Sequence, residues 1–437
     1  MNKLIRRRQS TPSGALADSG LHPLLARVYS GRGIGAPDEL ELGLAHLISP
    51  EKLSNADGAA RMLADALAEQ KHILVVGDYD ADGATSTALA LSALRDFGAE
   101  RVSYLVPNRF EYGYGLTREI VELAVSRGKP DLIITVDNGI SSIDGVAAAA
   151  EQGIATLITD HHLAGREIPA ADVIVNPNQP GCQFPSKNLA GVGVIFYIML
   201  ALRAELRSRS WFESREEPNL GRLTDLVALG TVADVVPLDR NNRILVAAGL
   251  QRIRAGHARP GILALLEVAS RPLHAVVAAD LGFAVGPRIN AAGRLDDISL
   301  GIECLMQEDQ AGARSLAAEL HQKNQDRRQI EQGMQEQALK LLDGLPLETE
   351  GLPVAMTLYR SDWHQGVIGI LASRIKDRLH RPTIAFADGD QGEIKGSARS
   401  ISGIHIRDIL DAVATRHPGM ILKFGGHAMA AGLSIPR

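Results

Sequence analysis

Three aspartates at alternate positions, Asp78, Asp80 and Asp82, fall in the run Gly77-Asp78-Tyr79-Asp80-Ala81-Asp82-Gly83. Like charges packed this closely oppose one another's ionisation, so the run asks for a cation. An EF-hand calcium loop, D-x-D-x-D-G, is the nearest rival. It fails at its twelfth position, which is Leu89 where a bidentate glutamate is required, and a strand-like segment precedes the run in place of a helix. A solvated acidic turn is the ordinary reading of the motif taken alone. Three further groups argue against it. Asp137 closes the apolar run DLIITV and is followed by Asn138-Gly139; Asp160-His161-His162 closes ATLIT; Asp234 stands in LVALGTVADVVPL. A lone carboxylate in that last context would be expensive to bury. An adjacent histidine pair is usually only a polar loop, but four separate elements bringing such groups to one sheet edge point to a metal centre. Carboxylates with one or two imidazoles and no thiolates suit manganese or magnesium. A shared carboxylate would hold two ions ~4 Å apart, the spacing used for in-line displacement at phosphorus. The chemistry expected is metal-assisted hydrolysis of a phosphoester.

A second set of residues suits anion binding. Arg109 lies in PNRFEYGYG, Arg288 and Arg294 flank Asn290 in PRINAAGR, and Ser397 and Arg399 lie in KGSARS. A guanidinium offers a bidentate fork to phosphate oxygens, and Gly425-Gly426-His427 would present backbone N–H groups and an imidazole. Singly, each of these is more often a surface arginine or a plain turn.

The elements that must position these groups are legible as alternating units. HILVV (72–76), VSYLV (102–106), DLIITV (131–136), ATLIT (155–159) and DVIVN (172–176) read as strands. Helices are expected around 59–70, over 83–98, 118–127 and 145–152. Continuous apolar strands alternating with helices predict a parallel sheet covered on both faces, a doubly wound α/β domain with ligands beyond the carboxyl ends of its strands. Residues 311–342 read as one long polar helix acting as an interdomain spacer. A second, smaller α/β unit begins at Pro353 with PVAMTLY, continues through the helix GVIGILASRIKDRLH to PTIAFAD, and ends in KFGGHAMAAGLSIPR. The expected domains are an N-terminal segment 1–65, a catalytic domain 66–300, a connecting long helix 301–345 and a substrate-binding domain 346–437.

Bulk properties narrow the field. At 437 residues the chain exceeds one ordinary core. A net charge of −5 excludes a generic polyanion binder, so nucleic-acid affinity would need a local basic surface. Aromatics at 4% exclude a broad stacking platform. Cys182 and Cys304 lie far apart with no CxxC, which excludes a disulfide framework or a structural zinc site. The N-terminus has basic residues but no apolar core behind them, and the apolar stretch Leu189–Leu202 is shorter than the ~20 residues of a spanning helix. It reads as a buried core helix, and a cytoplasmic location with no membrane partner is expected.

DYDADG, VDNG, TDHH and TVADVVPL resemble the four signature motifs of the DHH phosphoesterase superfamily, which the triplet Asp160-His161-His162 names. GDYDADG, without the upstream histidine of the HxxPDxD type, is similar to that superfamily's single-strand-specific exonucleases. PRINAAGR (287–294), DWHQGVIGILASR (362–374), KGSARS (395–400) and FGGHAMAAGLS (424–434) match the same branch, so the resemblance runs from about residue 65 to the C-terminus. It implies a DHH domain joined by the long helix to a smaller α/β DHHA1 domain that holds the nucleic acid. It places Asp78, Asp80, Asp82, Asp137, His161 and Asp234 around two divalent ions, Mn2+ or Mg2+, with Asp160 and His162 in or just behind them as part of the catalytic set. It gives substrate contacts to Arg109, Arg288, Asn290, Arg294, His364, Ser397, Arg399 and His427. The implied activity is 5′-to-3′ hydrolysis of single-stranded DNA bearing a 5′ phosphate, releasing 5′-mononucleotides in DNA repair and recombination. The implied assembly is a monomer working with single-strand-binding protein and a helicase.

Two other readings compete. An oligonucleotide or cyclic-dinucleotide phosphodiesterase normally carries the HxxPDxD opening, which is absent here. A catalytically inactive, replication-associated binding subunit predicts lost ligands, and here each is present. Members of the branch usually continue into an OB-fold, whereas this sequence stops at Pro436-Arg437 after AGLSI, as a fragment, a truncated product or a shortened variant would.

Overall fold

The computed structural model describes residues 14–107, 115–165, 167–343, 353–389, 392–426 and 428–437. They form two compact units, Met1–Pro287 with Ile302–Arg314, and Arg288–Gly301 with Ser315–Arg437.

The first unit is built on five parallel strands: β1 (Ile73–Gly77), β2 (Val102–Leu105), β3 (Leu132–Val136), β4 (Ala155–Thr159) and β5 (Val173–Val175), in the order β2-β1-β3-β4-β5. Every residue of β1 and of β3 is buried. Such strands must be apolar on both faces, which is why their sequences run as Ile/Leu/Val without alternation. On one face Leu74, Val76, Ile133 and Ile158 pack with Ile120, Val121 and Ala124 from the helix Arg118–Ser126 and with Val146 and Ala149 from the helix Ile143–Glu151. The other face carries the helices Ala81–Asp96 and Gly191–Ser208, the latter buried along its first turns, as expected for a core helix. The strand order reverses direction between β1 and β3. In a doubly wound sheet that reversal opens a crevice at the carboxyl ends of the two strands, and here Asp78 and Asp137 leave β1 and β3 at that point.

The acidic run is part loop and part helix: Asp80 caps the helix Ala81–Asp96, and Asp82 occupies its first turn. LVALGTVA belongs to the helix Thr224–Ala233, which Asp234 terminates. Most residues of that helix are buried and apolar, which hides its period in the sequence.

The second unit holds β6 (Met356–Tyr359), β7 (Thr383–Asp388), β8 (Glu393–Arg399), β9 (Lys423–Gly426) and β10 (Ala430–Pro436), ordered β6-β7-β8-β10-β9. Only β6 and β7 pair in parallel, across the helix Ile368–Leu379; the remaining pairs are antiparallel. The long polar helix expected over 311–342 is the helix Gln310–Asp343, and one of its faces is buried. Ala313, Ala317, Leu320, Asn324, Arg327, Glu331, Met334 and Ala338 form a buried stripe at three- and four-residue spacing. Its three polar members hide the stripe from a hydropathy reading. Near its end, Met334 and Ala338 join Trp363, Ile368, Leu371 and Ala385 in one core.

Candidate metal centre

Strand, turn and helix are locked together around Asp78. Asp80 accepts hydrogen bonds from the backbone N–H of Asp82 (2.9 Å) and of Gly83 (3.0 Å), a regular N-cap. Gly83 lies so close to the Asp78 backbone that a Cβ there would overlap it. The cap leaves Asp82 1% exposed and facing a second helix start. The N–H groups of Gly191 (2.6 Å) and Val192 (3.0 Å), which open the helix Gly191–Ser208, donate to the two oxygens of Asp82. A helix whose first three turns are apolar thus places the positive end of its dipole on a buried carboxylate.

Asp137 follows β3 with φ +63°, a left-handed conformation that aspartate and asparagine tolerate better than most residues. Asn138 fixes the turn by donating to the carbonyls of Val76 (3.1 Å) and Val136 (2.9 Å), tying β1 to β3. Asp160, at the end of β4, accepts from the N–H of Ile140 (2.9 Å), His161 (2.7 Å) and His162 (3.0 Å), and pairs with Nδ1 of His162 at 2.7 Å. After β5, Asn176 donates to the carbonyl of His162 (2.9 Å) and Asn178 to that of His161 (2.7 Å). The exit from the helix Thr224–Ala233 is strained, since the β-branched Val235, directly after Asp234, has φ +64°.

These supports bring the acidic and imidazole groups together. Nε2 of His161 stands 3.1 Å from Asp137 Oδ1, 3.6 Å from Asp234 Oδ2 and 4.0 Å from Asp82 Oδ2. Three sets each offer ligand atoms within 4.8 Å of one another: Asp78, Asp80 and Asp137; Asp82, His161 and Asp234; Asp137, His161 and His162. Ligands ~2.1 Å from a small divalent ion at octahedral angles lie about 3 to 4.2 Å from each other, so the spacing and the hard donors both fit such an ion. Asp137 and His161 each belong to two of these sets.

The electrostatics agree. Burial, reinforced by Asp80, pushes the carboxyl of Asp82 up to about 7 despite the two helix N–H groups. Burial and then Asp82 raise Asp137 and Asp234 well above the usual carboxylate range. Asp160 behaves oppositely. Burial would raise it, but the His162 imidazole holds it down to about 2, and His162, which burial would lower, is carried up to about 9 by Asp160. One ion pair, buried at Asp160 and half-buried at His162, therefore stands beside a group of carboxylates held against their own repulsion.

In the second unit, Arg288, Asn290 and Arg294 lie on the helix Gly286–Leu295. Arg294 donates to the carbonyl of Gly366 (3.3 Å), whose own N–H donates to Nδ1 of His364 (3.1 Å). Arg399 donates to Ser397 Oγ (3.0 Å), and a Cβ on Gly369 would come within 2.8 Å of both Ser397 Oγ and the Arg399 guanidinium. Arg294 and His364 thus both bond to the backbone of Gly366, and Ser397 and Arg399 lie against Gly369 in the first turn of the helix Ile368–Leu379. Arg109 and His427 lie outside the described residues. The sequence alone gives no role to Asn138, Asn176, Asn178 or the Gly191–Val192 helix start. An asparagine within two residues of the end of β3 and of β5 was the available signal for the first two.

The chain matches the DHH family, N-terminal domain, over residues 72–231, and the DHHA1 domain over residues 351–437. The single-stranded-DNA-specific exonuclease RecJ of Dickeya dadantii is 57% identical over 98% of this chain and 74% of its own length. RecJ from Thermus thermophilus in complex with Mn2+ superposes with a TM-score of 0.78 at 33% identity, over 96% of this chain and 57% of that one. The Mg2+ complex of the Thermus thermophilus protein gives 0.73 at 31%, over 96% and 55%. With both domain models matched in order and identity sustained across nearly its whole length, the chain belongs to the family of the single-stranded-DNA-specific exonuclease RecJ.

Proposed function

We propose that this chain is a metal-dependent exonuclease that hydrolyses single-stranded DNA from its 5′ end and releases 5′-mononucleotides. The observation that carries the reading is the convergence of Asp82, Asp137 and Asp234, from three separate elements, within 4.0 Å of one imidazole nitrogen of His161. Relatives bound to Mn2+ and Mg2+ favour those two ions here. Asp78, Asp80 and Asp137 would hold one, Asp82, His161 and Asp234 the other, with Asp137 common to both. When bound, the pair would polarise the phosphodiester and neutralise charge developing on attacking and leaving oxygens. Asp160 holds the ring of His162 through Nδ1, so that this imidazole keeps a fixed orientation towards the same centre. Arg288, Arg294, Ser397 and Arg399 supply donors for phosphate oxygens, with Asn290 and His364 as neighbouring polar contacts and Arg109 and His427 completing the substrate set.

An enzyme restricted to single strands needs something to open duplexes. A helicase and single-strand-binding protein are accordingly the proposed partners, with the chain itself a cytoplasmic monomer serving DNA repair and recombination. No helix among the described residues is long and apolar enough to cross a membrane.

The test is manganese-dependent release of mononucleotides from 5′-labelled single strands, run beside a cyclic dinucleotide. Single-strand digestion that stops on chelation and is absent in Asp82→Ala is expected. Hydrolysis of the cyclic dinucleotide alone would move the chain to another branch, and full activity in Asp82→Ala would dismantle the site.

A further inference from the structure

Arg288 is 7% exposed, a degree of burial rare for arginine unless its charge is met. His321, on the long helix Gln310–Asp343, is one of the groups that meet it. Nδ1 of His321 receives the Arg288 Nε–H at 3.1 Å and lies 3.0 Å from a terminal guanidinium nitrogen. A guanidinium carries only donors, so this Nδ1 must present a lone pair. His321 is thereby fixed as the neutral tautomer with its proton on Nε2. That nitrogen lies 2.9 Å from the amide nitrogen of Gln325, one helical turn on; exchanging the nitrogen and oxygen of that amide places its oxygen there to accept the proton. Gln325, His321 and Arg288 form a directed relay that sets the plane of the guanidinium.

We propose that His321 is a positioning residue for Arg288, holding the guanidinium in the orientation that receives a terminal phosphate and releasing it when the imidazole gains a second proton. This rests on the reading of Arg288 as a phosphate contact. A second proton would turn Nδ1 from acceptor into donor, setting N–H against N–H. The charges that bear on the ring are Arg288 from the helix Gly286–Leu295 and Arg328 from its own helix, with Gln325 as the neutral neighbour. Burial, then these two cations, hold the imidazole below its ordinary value, so release belongs on the acid side of neutrality.

The experiment compares wild type, Arg288→Ala, His321→Ala and His321→Asn on 5′-phosphorylated and 5′-hydroxyl single strands with manganese. Asparagine carries an acceptor oxygen where Nδ1 stands and does not titrate. In His321→Ala the preference for the phosphorylated strand should fall about fivefold, as expected for loss of a hydrogen-bonded anchor. The fall should come through KM with kcat held, and His321→Asn should restore most of it. Lowering the pH from above neutrality to about 5.5 should erode the wild-type preference relative to the asparagine variant. The substrate's own phosphate titration and that of the metal centre are common to both enzymes and cancel in this ratio. An unchanged preference in Arg288→Ala, or none in the wild type, would count against Arg288 as the phosphate contact. Preference lost in Arg288→Ala but kept in His321→Ala, or wild type and His321→Asn declining together with pH, would overturn the positioning role of His321.

Discussion

At Asp137 two unfavourable features coincide. Its backbone is held at φ +63°, and its carboxyl is 2% exposed with Asp82, Asp80, Asp78 and Asp234 around it. Asparagine keeps the left-handed preference and removes the charge, whereas alanine would add roughly 1–2 kcal/mol of backbone strain. Asp137→Asn should therefore abolish hydrolysis yet, with metals chelated, melt above the wild type at pH 8. The sign follows from the raised values. A carboxyl whose folded value exceeds its unfolded one contributes stability that is complete below the unfolded value and is lost as pH rises through the folded one. For Asp82 that window runs from 3.8 to about 7, so the metal-free wild type should lose thermal stability across it, and manganese should restore it. Thermal melts with and without chelator decide the matter; a metal-free Asp137→Asn protein that melts below wild type would show that repulsion is not the dominant cost. The acidic residues themselves were plain in the sequence, since a carboxylate closing an apolar run is costly unless a cation or a donor meets it. The left-handed turn at Asp137 and the role of Asn138 in bracing it were not, because the carbonyl of Val76 that Asn138 reaches is contributed by another strand.

The elements were legible in proportion to how simply they are buried. β1, β3 and β4 are enclosed on both faces and announce themselves as unbroken aliphatic runs. The helix Thr224–Ala233 is enclosed too, and so lost the polar face that would have identified it. The start of the helix Gly191–Ser208 reads as core in the sequence and is core, but its service to Asp82 depends on a glycine that only the packing explains. A Cβ on Gly191 would stand 2.5 Å from Cβ and 2.6 Å from Oδ1 of Asp137. Gly191→Ala should consequently cost about 1–3 kcal/mol of stability through overpacking, and should weaken manganese-dependent activity further by displacing Asp137. Chemical denaturation together with a manganese titration of activity checks both. Normal stability with normal activity would mean that the helix start can shift without disturbing the centre.

Across the whole molecule, the two units differ in how their sheets could be foreseen. The first follows from repeated strand–helix alternation. In the second only β6 and β7 obey that rule, and the antiparallel strands β8 and β10 mix small and polar residues in place of an apolar run that would reveal their partners. The groups proposed to bind metal reach the centre from residues 78–82, 137, 160–162 and 234, each on its own element. An unfolded chain does not offer such a set to an ion, because each member arrives only when its element docks, and parallel strands with long crossovers dock slowly. Metal capture should accordingly follow the rate-limiting passage between unfolded and native chains. An interaction absent from the transition state lengthens the life of the native state without hastening its formation. In stopped-flow experiments manganese should slow unfolding and leave the refolding rate unchanged, so that the ion acts as a kinetic lock on a structure already made.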